Sequence, residues 1–305
     1  MRYIEENRFR LEITPLASEM QTPSIPGGVI TTLSGNYESI FKGRGLEFRD
    51  FKEFGPIDDA RRIDWKASLK TNKLLVKEFQ EERNAEVIFC FDVSSGMIFG
   101  SGNNKLKNHY GAEFIVSLGK HIMDSGNLVG LITFTDKVMQ FLPPEMSESQ
   151  LWFMMDVLSS FSTYGGRNDF GEVLGFLKNH VLEGTTILLI SDFFNFKRFK
   201  TYENILRILH KKFELIFVIL RDPLEESFLS KKKPVLLFNP KTSLNILVRP
   251  SHIKKKYVQE TQKEKNRLKN YLNALHIPFL ELFTHQSFVA PLTGFFTHLE
   301  VDSYR

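Results

Sequence analysis

Apolar residues from Glu86 to the end of the chain follow two alternating patterns. Short unbroken apolar runs, which suit strands buried on both faces, begin near residues 87, 128, 185, 214 and 278. Between these runs, apolar residues recur at helical spacing, most regularly in the stripe Leu106, Tyr110, Phe114, Leu118 and Ile122. This alternation predicts an α/β fold with a doubly wound, mostly parallel sheet and helices on both faces.

Two segments depart from the alternation. Val138–Leu142 follows the second apolar run after only a short turn, so we expect an antiparallel hairpin at an edge of the sheet. Val235–Phe238 and Leu244–Val248 flank an Asn-Pro-Lys-Thr-Ser turn and predict a small β-hairpin in an insertion around residues 225–275. A long Lys-rich helix, capped by Ser251, is predicted to complete this insertion.

The first 84 residues show no such regularity. Proline and glycine interrupt residues 1–34, so we expect an extended arm with short strands. A short helix is predicted over Ala60–Leu69 and a strand over Leu74–Phe79. We therefore expect an N-terminal segment, residues 1–84, that packs on a main domain, residues 85–305.

Composition adds few constraints. The chain has 305 residues, of which 42% are hydrophobic and 25% charged, as in ordinary globular proteins. The single cysteine, Cys90, lies inside an apolar run and is expected to be a buried, inert thiol. The N-terminus is too charged for a signal peptide, and no apolar run approaches the ~18 residues of a membrane span. We therefore expect a cytoplasmic protein.

The net charge of +4 conceals an asymmetry. Residues 1–192 contain 20 basic and 26 acidic residues, a net charge of −6, whereas residues 193–305 contain 20 and 10, a net charge of +10. Such a split can mark an acidic partner, a nucleic acid or an anionic membrane surface, or it can reflect a set of solvated helix faces. We favour solvated helix faces, so nucleic acid is not the expected partner.

Polar residues follow two of the predicted strands. Asp92, Ser94 and Ser95 come directly after the first strand of the main domain, and Asp192 follows the strand near residue 185. Right-handed crossovers would bring both acids to one edge of the sheet, together with the loop Gly165–Asp169. Such oxygen ligands suit a hard divalent cation such as Mg²⁺, or the side chains cap the turns that follow.

Familiar catalytic motifs are absent from the sequence. It contains no Gly-x4-Gly-Lys-Ser/Thr loop, no Gly-x-Gly-x-x-Gly, no Gly-x-Ser-x-Gly and no His-Glu-x-x-His. A non-enzymatic interaction protein is the first hypothesis. A metal-dependent phosphoester hydrolase that uses the same acids, and nucleic-acid binding through the basic half, remain the alternatives.

The pattern resembles two related families. Asp92-x-Ser94, the Gly-Gly loop and Asp192 resemble the metal-ion-dependent adhesion site of the von Willebrand factor A domain. Upstream, Gly45-Leu-Glu-Phe, Gly55-Pro-Ile-Asp-Asp-Ala-Arg-Arg-Ile-Asp-Trp-Lys-Ala-Ser68 and Leu75-Val-Lys-Glu-Phe-Gln-Glu-Glu-Arg83 are similar to the bacterial "domain of unknown function 58" family. This second resemblance covers roughly residues 35–300.

The resemblance implies a von Willebrand factor A-like fold that binds a partner protein. Members of this family are typically associated with MoxR-class AAA+ ATPases, in pairs that act like chaperones in protein maturation or stress responses. It therefore implies such an ATPase as partner, and other proteins could also bind through the altered metal site. The implied residues are Asp92, Ser94, Asn168 and Asp192 for the metal, and Ser95, Arg167 and Asp169 for the partner.

This sequence departs from the family's metal site at two positions. Gly96 stands where the pattern has a second ligand serine, and Asn168 stands where it has a threonine. Because Mg²⁺ needs few protein ligands, weak binding is one interpretation. An apo site whose acids cap loops is the other.

The upstream block has its own interpretation. Its charged and aromatic residues are Asp58, Asp59, Arg61, Arg62, Asp64 and Trp65. Clusters of acids and arginines often form structural ion-pair networks, so we expect a structural docking role with Trp65 as a buried anchor. An exposed Arg62 would instead indicate a contact with phosphate or with a partner.

Overall fold

The computed structural model describes residues 2–4, 48–55, 63–71, 73–79, 84–100, 105–194, 200–227, 235–239, 244–248 and 250–303. The chain divides into two compact units. The larger unit comprises Met1–Ile40 with Glu86–Arg305, and the smaller one comprises Phe41–Ala85.

The described elements alternate between strands and helices from Glu86 onwards. The strands are β1 (Arg2–Ile4), β2 (Phe48–Glu53), β3 (Leu75–Phe79), β4 (Glu86–Asp92), β5 (Leu128–Phe134), β6 (Val138–Glu145), β7 (Thr186–Ser191), β8 (Glu214–Arg221), β9 (Val235–Asn239), β10 (Leu244–Val248) and β11 (Phe279–Phe283). The helices are α1 (Trp65–Thr71), α2 (Lys107–Asp124), α3 (Glu148–Ser159), α4 (Gly171–His180), α5 (Glu203–Lys212), α6 (Pro223–Ser227), α7 (Pro250–Ala274) and α8 (Val289–Ser303).

A six-stranded sheet in the order β11-β8-β7-β4-β5-β6 forms the centre of the larger unit. All neighbouring strands are parallel except β6, which pairs antiparallel with β5 at one edge. Within this sheet, the chain starts at the central strand β4 and continues through β5 to the edge strand β6. It then returns to β7, beside β4, and continues through β8 to the opposite edge strand β11. The predicted doubly wound, mostly parallel sheet is confirmed, and its topological switch point lies between β4 and β7.

Helices cover both faces of this sheet, as predicted. On one face, Ile88 and Cys90 of β4 join a core with residues of α4, α5 and α7, among them Leu174, Leu209 and Leu272. Cys90 is therefore the buried thiol that its sequence context predicted, and burial raises its pKa.

The opposite face of the sheet packs against α2 and α3, and the ring of Phe288, just before α8, packs on α2. A Cβ at Gly111 of α2 would lie 2.7 Å from the ring of Phe91, so only glycine permits this close approach of helix to strand. Four residues of the predicted stripe, Tyr110, Phe114, Leu118 and Ile122, are buried in α2, whereas Leu106 precedes the helix and is half-buried. Many residues beside the stripe are buried as well, because α2 is enclosed by the sheet and by neighbouring helices.

Several element boundaries differ from the predictions. The edge strand β6 continues past Leu142 to Glu145, with two prolines at positions where an edge strand tolerates them. The hairpin β9–β10 is confirmed, and β1 extends it to three strands. The cap predicted at Ser251 is wrong, because α7 already begins at Pro250, a residue that suits the first helical position.

The smaller unit contains the antiparallel pair β2–β3 and the helix α1. Asp64 caps α1, since its Oδ1 accepts a hydrogen bond of 3.0 Å from the Ala67 N–H. Trp65, the expected buried anchor, is 64% exposed, so that prediction is wrong. Asp58, Asp59, Arg61 and Arg62 lie outside the described residues, as does most of the predicted N-terminal arm.

The described part of the chain contains no helix with the length and apolar composition that a bilayer crossing requires.

Candidate functional site

The carboxyl ends of β4 and β7 meet the loop of residues 165–169, as the sequence predicted. The Gly165 N–H donates to the Val93 carbonyl at 2.9 Å, and the Ser95 N–H donates to the Gly166 carbonyl at 3.2 Å. Both glycines have positive φ, 139° and 76°, a conformation that other residues rarely adopt. The loop is therefore joined by its backbone to the segment that follows Asp92.

The Asp92 carboxylate is completely buried and accepts hydrogen bonds on both oxygens. Its Oδ1 accepts from the Ser94 N–H at 2.9 Å. Its Oδ2 accepts from the Ser191 hydroxyl at 2.6 Å and from the Asn168 side-chain amide. Asn168 therefore presents an N–H donor to Asp92, where the metal-site interpretation required a carbonyl oxygen.

The surroundings of Asp92 disfavour its charged form. Burial, and then repulsion from the Asp192 carboxylate, raise the pKa of Asp92 to about 6, although the hydrogen bonds from Ser191 and Ser94 oppose this shift. Hydroxyl and amide dipoles stabilise this carboxylate less than a full positive charge would.

Asp192, by contrast, is bound by a cation. The Lys107 ammonium donates to its Oδ2 at 2.7 Å, and the Phe194 N–H donates to its Oδ1 at 2.9 Å. Burial would raise the pKa of Asp192, but Lys107, the Phe194 amide and Arg221 outweigh burial and lower this pKa below its ordinary value. Asp192 is therefore ionised at neutral pH.

The same ammonium binds a second carboxylate. Lys107 Nζ lies 2.6 Å from Glu225 Oε1, and the lysine side chain is 1% exposed. Burial alone would lower the pKa of Lys107, but the charges of Asp192 and Glu225 raise it above its ordinary value. The ammonium is a permanent positive charge between two acids.

Local structure holds Glu225 and Lys107 in place. Glu225 Oε2 accepts from the Asp222 N–H at 3.1 Å, while Asp222 Oδ1 accepts from the Leu224 N–H at 2.9 Å, which is a reciprocal capping box at the start of α6. Lys107 is the first residue of α2, its N–H donates to the Phe99 carbonyl at 2.8 Å, and its ammonium lies 5.5 Å from the Phe99 ring centroid.

The residues present do not fit a divalent cation. Asp92 accepts three hydrogen bonds, and Asp192 Oδ2 accepts from the Lys107 ammonium. Gly96 contributes no ligand, and a Cβ there would lie 3.3 Å from Asp192 Oδ2. Among the described residues, no group of three or more His, Cys, Asp or Glu side chains is arranged to hold a metal ion.

The other predicted contact residues lie around these acids at different depths. Ser94 is buried beside Asp92, Ser95 is half-buried, and Arg167 is exposed on the glycine loop. Asp169 faces inwards, since its Oδ1 accepts from the Gly171 N–H at 3.0 Å and from the Tyr202 hydroxyl. Arg167 and Ser95 are thus the predicted residues best placed to touch another protein.

Sequence reasoning missed Lys107, Glu225 and Ser191. Two of them left a signal. Lys107 begins a second row of small and apolar residues, Gly111 and Ile115, which runs beside the predicted stripe of α2. Asp222-Pro-Leu-Glu225 has the spacing of a capping box with proline at the first helical position.

A cavity of about 340 Å³ opens next to Asp192. Phe193 has a positive φ of 46°, a strained conformation for a non-glycine residue, and its buried ring stacks on Phe170 and Phe217. Phe194 is 57% exposed. The cavity is lined by Phe193, Phe194, Arg221, Tyr257, Glu260, Thr261, Glu264, Lys265 and Leu268.

Residues 48–267 match the family described as "Protein of unknown function DUF58". The chain belongs to this family. The match spans the upstream block, five of the six strands of the central sheet with its acids, and most of the insertion, so the family resemblance drawn from the sequence is confirmed. No curated protein matches this DUF58 chain.

Solved structures similar to the DUF58 chain include the conserved hypothetical protein BatB from Bacteroides thetaiotaomicron, at 14% identity and a TM-score of 0.44 over 71% of this chain and 99% of that one. An aerotolerance-related membrane protein from Bacteroides fragilis has 14% identity and a TM-score of 0.38, covering 70% and 98%. The SpRpn10 VWA domain has 14% identity and a TM-score of 0.34, covering 45% and 75%.

Proposed function

We propose that the chain is a non-enzymatic protein-interaction module that binds its partner through the loops at the carboxyl edge of the sheet. The observation that carries this proposal is the contrast between buried acids and exposed loops. Asp92 is 0% and Asp192 6% exposed, so neither acid is open to a substrate, whereas Arg167 and Phe194 project from the loops around them.

These loops form a surface suited to a protein. Arg167 offers a guanidinium for an acidic side chain, and Phe194 offers an exposed ring beside the cavity. Backbone hydrogen bonds and the stacked ring of Phe193 hold the loops, which lowers the ordering entropy that a partner must overcome. The proposed partner is a MoxR-class AAA+ ATPase, as the family resemblance implies, acting in protein maturation or stress responses.

A charge-reversal experiment tests this proposal. A purified MoxR-class ATPase would be titrated with the wild-type chain and with Arg167→Glu, by biolayer interferometry at physiological salt. We expect Arg167→Glu to weaken binding at least about tenfold, since an Arg at the centre of an interface is often a hot spot.

Lys211→Glu is the matched control. Lys211 is exposed near the end of α5, which leads into β8, so it lies at the opposite edge of the sheet. This reversal should leave the affinity within about twofold, because exposed charges outside an interface contribute little. Equal losses in the two variants, or wild-type protein that does not bind the ATPase, would overturn the proposal.

A further inference from the structure

Among the described residues, Lys107 is the most deeply buried basic side chain at the carboxyl edge of the sheet. Its ammonium contacts Asp192 at 2.7 Å and Glu225 at 2.6 Å, and its side chain is 1% exposed. It extends from the first turn of α2, where the Asn108 N–H donates to the Met97 carbonyl at 3.0 Å and the Lys107 N–H donates to the Phe99 carbonyl at 2.8 Å. A lysine in this position was not expected from the metal-site interpretation.

The ammonium and Gly96 meet at the same carboxylate oxygen. A Cβ on Gly96 would lie 3.3 Å from Asp192 Oδ2 and 3.7 Å from the Ser94 hydroxyl, so a serine at position 96 would place its hydroxyl among these acids. In this chain, residue 96 has no side chain, and Lys107 Nζ binds Asp192 Oδ2 instead. At this oxygen, therefore, the ligand that the adhesion-site pattern would supply is absent and an ammonium is bound.

We propose that the Lys107 ammonium replaces a divalent cation as the positive charge of this site, so that the protein functions without metal. A bound Mg²⁺ would have to share Asp192 with a buried ammonium that cannot leave its two carboxylates without desolvation cost. It would also need Asn168 and Ser191 to withdraw their donors from Asp92. This inference does not depend on the partner's identity.

Metal titration of the wild-type chain is the first test. MgCl₂ and MnCl₂ would be titrated by calorimetry, and thermal unfolding would be followed with NaCl at matched ionic strength. A cation at a hundred times its Kd would raise Tm by about 5–10 °C. We expect no heat beyond dilution and no metal-specific rise in Tm. Mg²⁺ or Mn²⁺ binding that Asp92→Ala abolishes would overturn the proposal.

The second test removes the ammonium and restores the ligand. In Lys107→Met/Gly96→Ser, the long side chain remains but its charge is lost, and a hydroxyl is added beside Asp192. We expect Mg²⁺ or Mn²⁺ to raise the Tm of this variant by about 5–10 °C, with heat in calorimetry. Lys105→Met/Gly96→Ser, which keeps Lys107, is the matched control and should remain unresponsive.

Each of the two tests can overturn the proposal without the other. A folded Lys107→Met/Gly96→Ser protein that gains no response to either metal would overturn the assignment of Lys107 to the cation position. An equal response in the Lys105→Met/Gly96→Ser control would also overturn it. If the Lys107 variant does not fold, the wild-type titration decides by itself.

Discussion

Two buried carboxylates follow neighbouring strands of the same sheet, yet their surroundings differ. Asp92, after β4, is stabilised by donors that carry no net charge, from Ser94, Ser191 and Asn168. Asp192, after β7, is bound by the Lys107 ammonium. The pKa of Asp92 is accordingly raised to about 6, whereas the pKa of Asp192 is lowered.

The comparison indicates which half of the site contributes to stability. A buried carboxylate bound by dipoles alone still carries a desolvation cost, and its neighbour's charge adds to that cost. A buried carboxylate paired with an ammonium is balanced, but removing either partner leaves an unpaired charge. At neutral pH, the charge on Asp92 therefore lowers the free energy of unfolding, whereas the charge on Asp192 raises it.

The largest effect is expected when the ammonium is removed. Lys107→Met keeps the length of the side chain but leaves Asp192 and Glu225 as two neighbouring buried charges. We expect a loss of about 3–5 kcal/mol in the free energy of unfolding, measured by urea denaturation at pH 7.

Lys105→Met is the control for this loss. Lys105 also pairs with an acid, Glu113, but its side chain is 56% exposed. Exposed pairs contribute between 0 and about 1 kcal/mol, so this variant should remain close to the wild type. Similar losses in the two variants would contradict the assignment of a stabilising role to the buried ammonium.

A pair of isosteric substitutions should show opposite pH dependence. Because the pKa of Asp92 is raised, the native state binds a proton between about pH 4 and 6 that the unfolded state lacks, and Asp92 makes stability fall as pH rises through this window. Asp92→Asn removes that fall. The stability of the variant relative to wild type should therefore rise from pH 4 to pH 7, by on the order of 2 kcal/mol.

Asp192→Asn should behave in the reverse sense. Since the pKa of Asp192 is lowered in the native state, Asp192 stabilises the fold at pH values above the ordinary pKa of an aspartate. This stabilisation is lost as pH falls through the lower native pKa. The variant should be less stable than wild type at pH 7, and the gap should narrow only in acid. Urea denaturation across pH 3 to 8 measures both curves, and parallel curves for the two variants would refute the comparison.

The sequence predicted the positions of the two aspartates better than it predicted the contact between Lys107 and Glu225. Asp92 and Asp192 could be placed together because each follows an apolar run, and right-handed crossovers bring parallel strand ends to one edge. The glycine loop could be placed there too. Lys107 and Glu225 are 118 residues apart, and nothing in local spacing indicates that their side chains meet.

The helix α2 shows why the cation was missed. The stripe of Leu106, Tyr110 and Phe114 was sufficient to predict one buried face, and a lysine beside such a stripe is ordinarily solvated. The structure buries Lys107 against Phe99, whose ring lies near its ammonium, and against the carboxylates of Asp192 and Glu225. Burial of this kind depends on tertiary packing, which sequence periodicity does not report.

The smallest expected effect concerns a single donor on the Asp92 side. Ser191→Ala removes the hydroxyl that donates to Asp92 Oδ2 at 2.6 Å and that accepts from the Phe193 N–H at 3.2 Å. We expect a loss of about 1–2 kcal/mol at pH 8, and a further rise in the pKa of Asp92, because this hydroxyl holds that pKa down. The loss should shrink below pH 6, where Asp92 is protonated.

The control is Ser95→Ala, which removes a half-buried side chain and should cost no more than about 0.5 kcal/mol at either pH. A pH-independent loss in Ser191→Ala would mean that the hydroxyl holds only the Phe193 backbone and not the Asp92 charge.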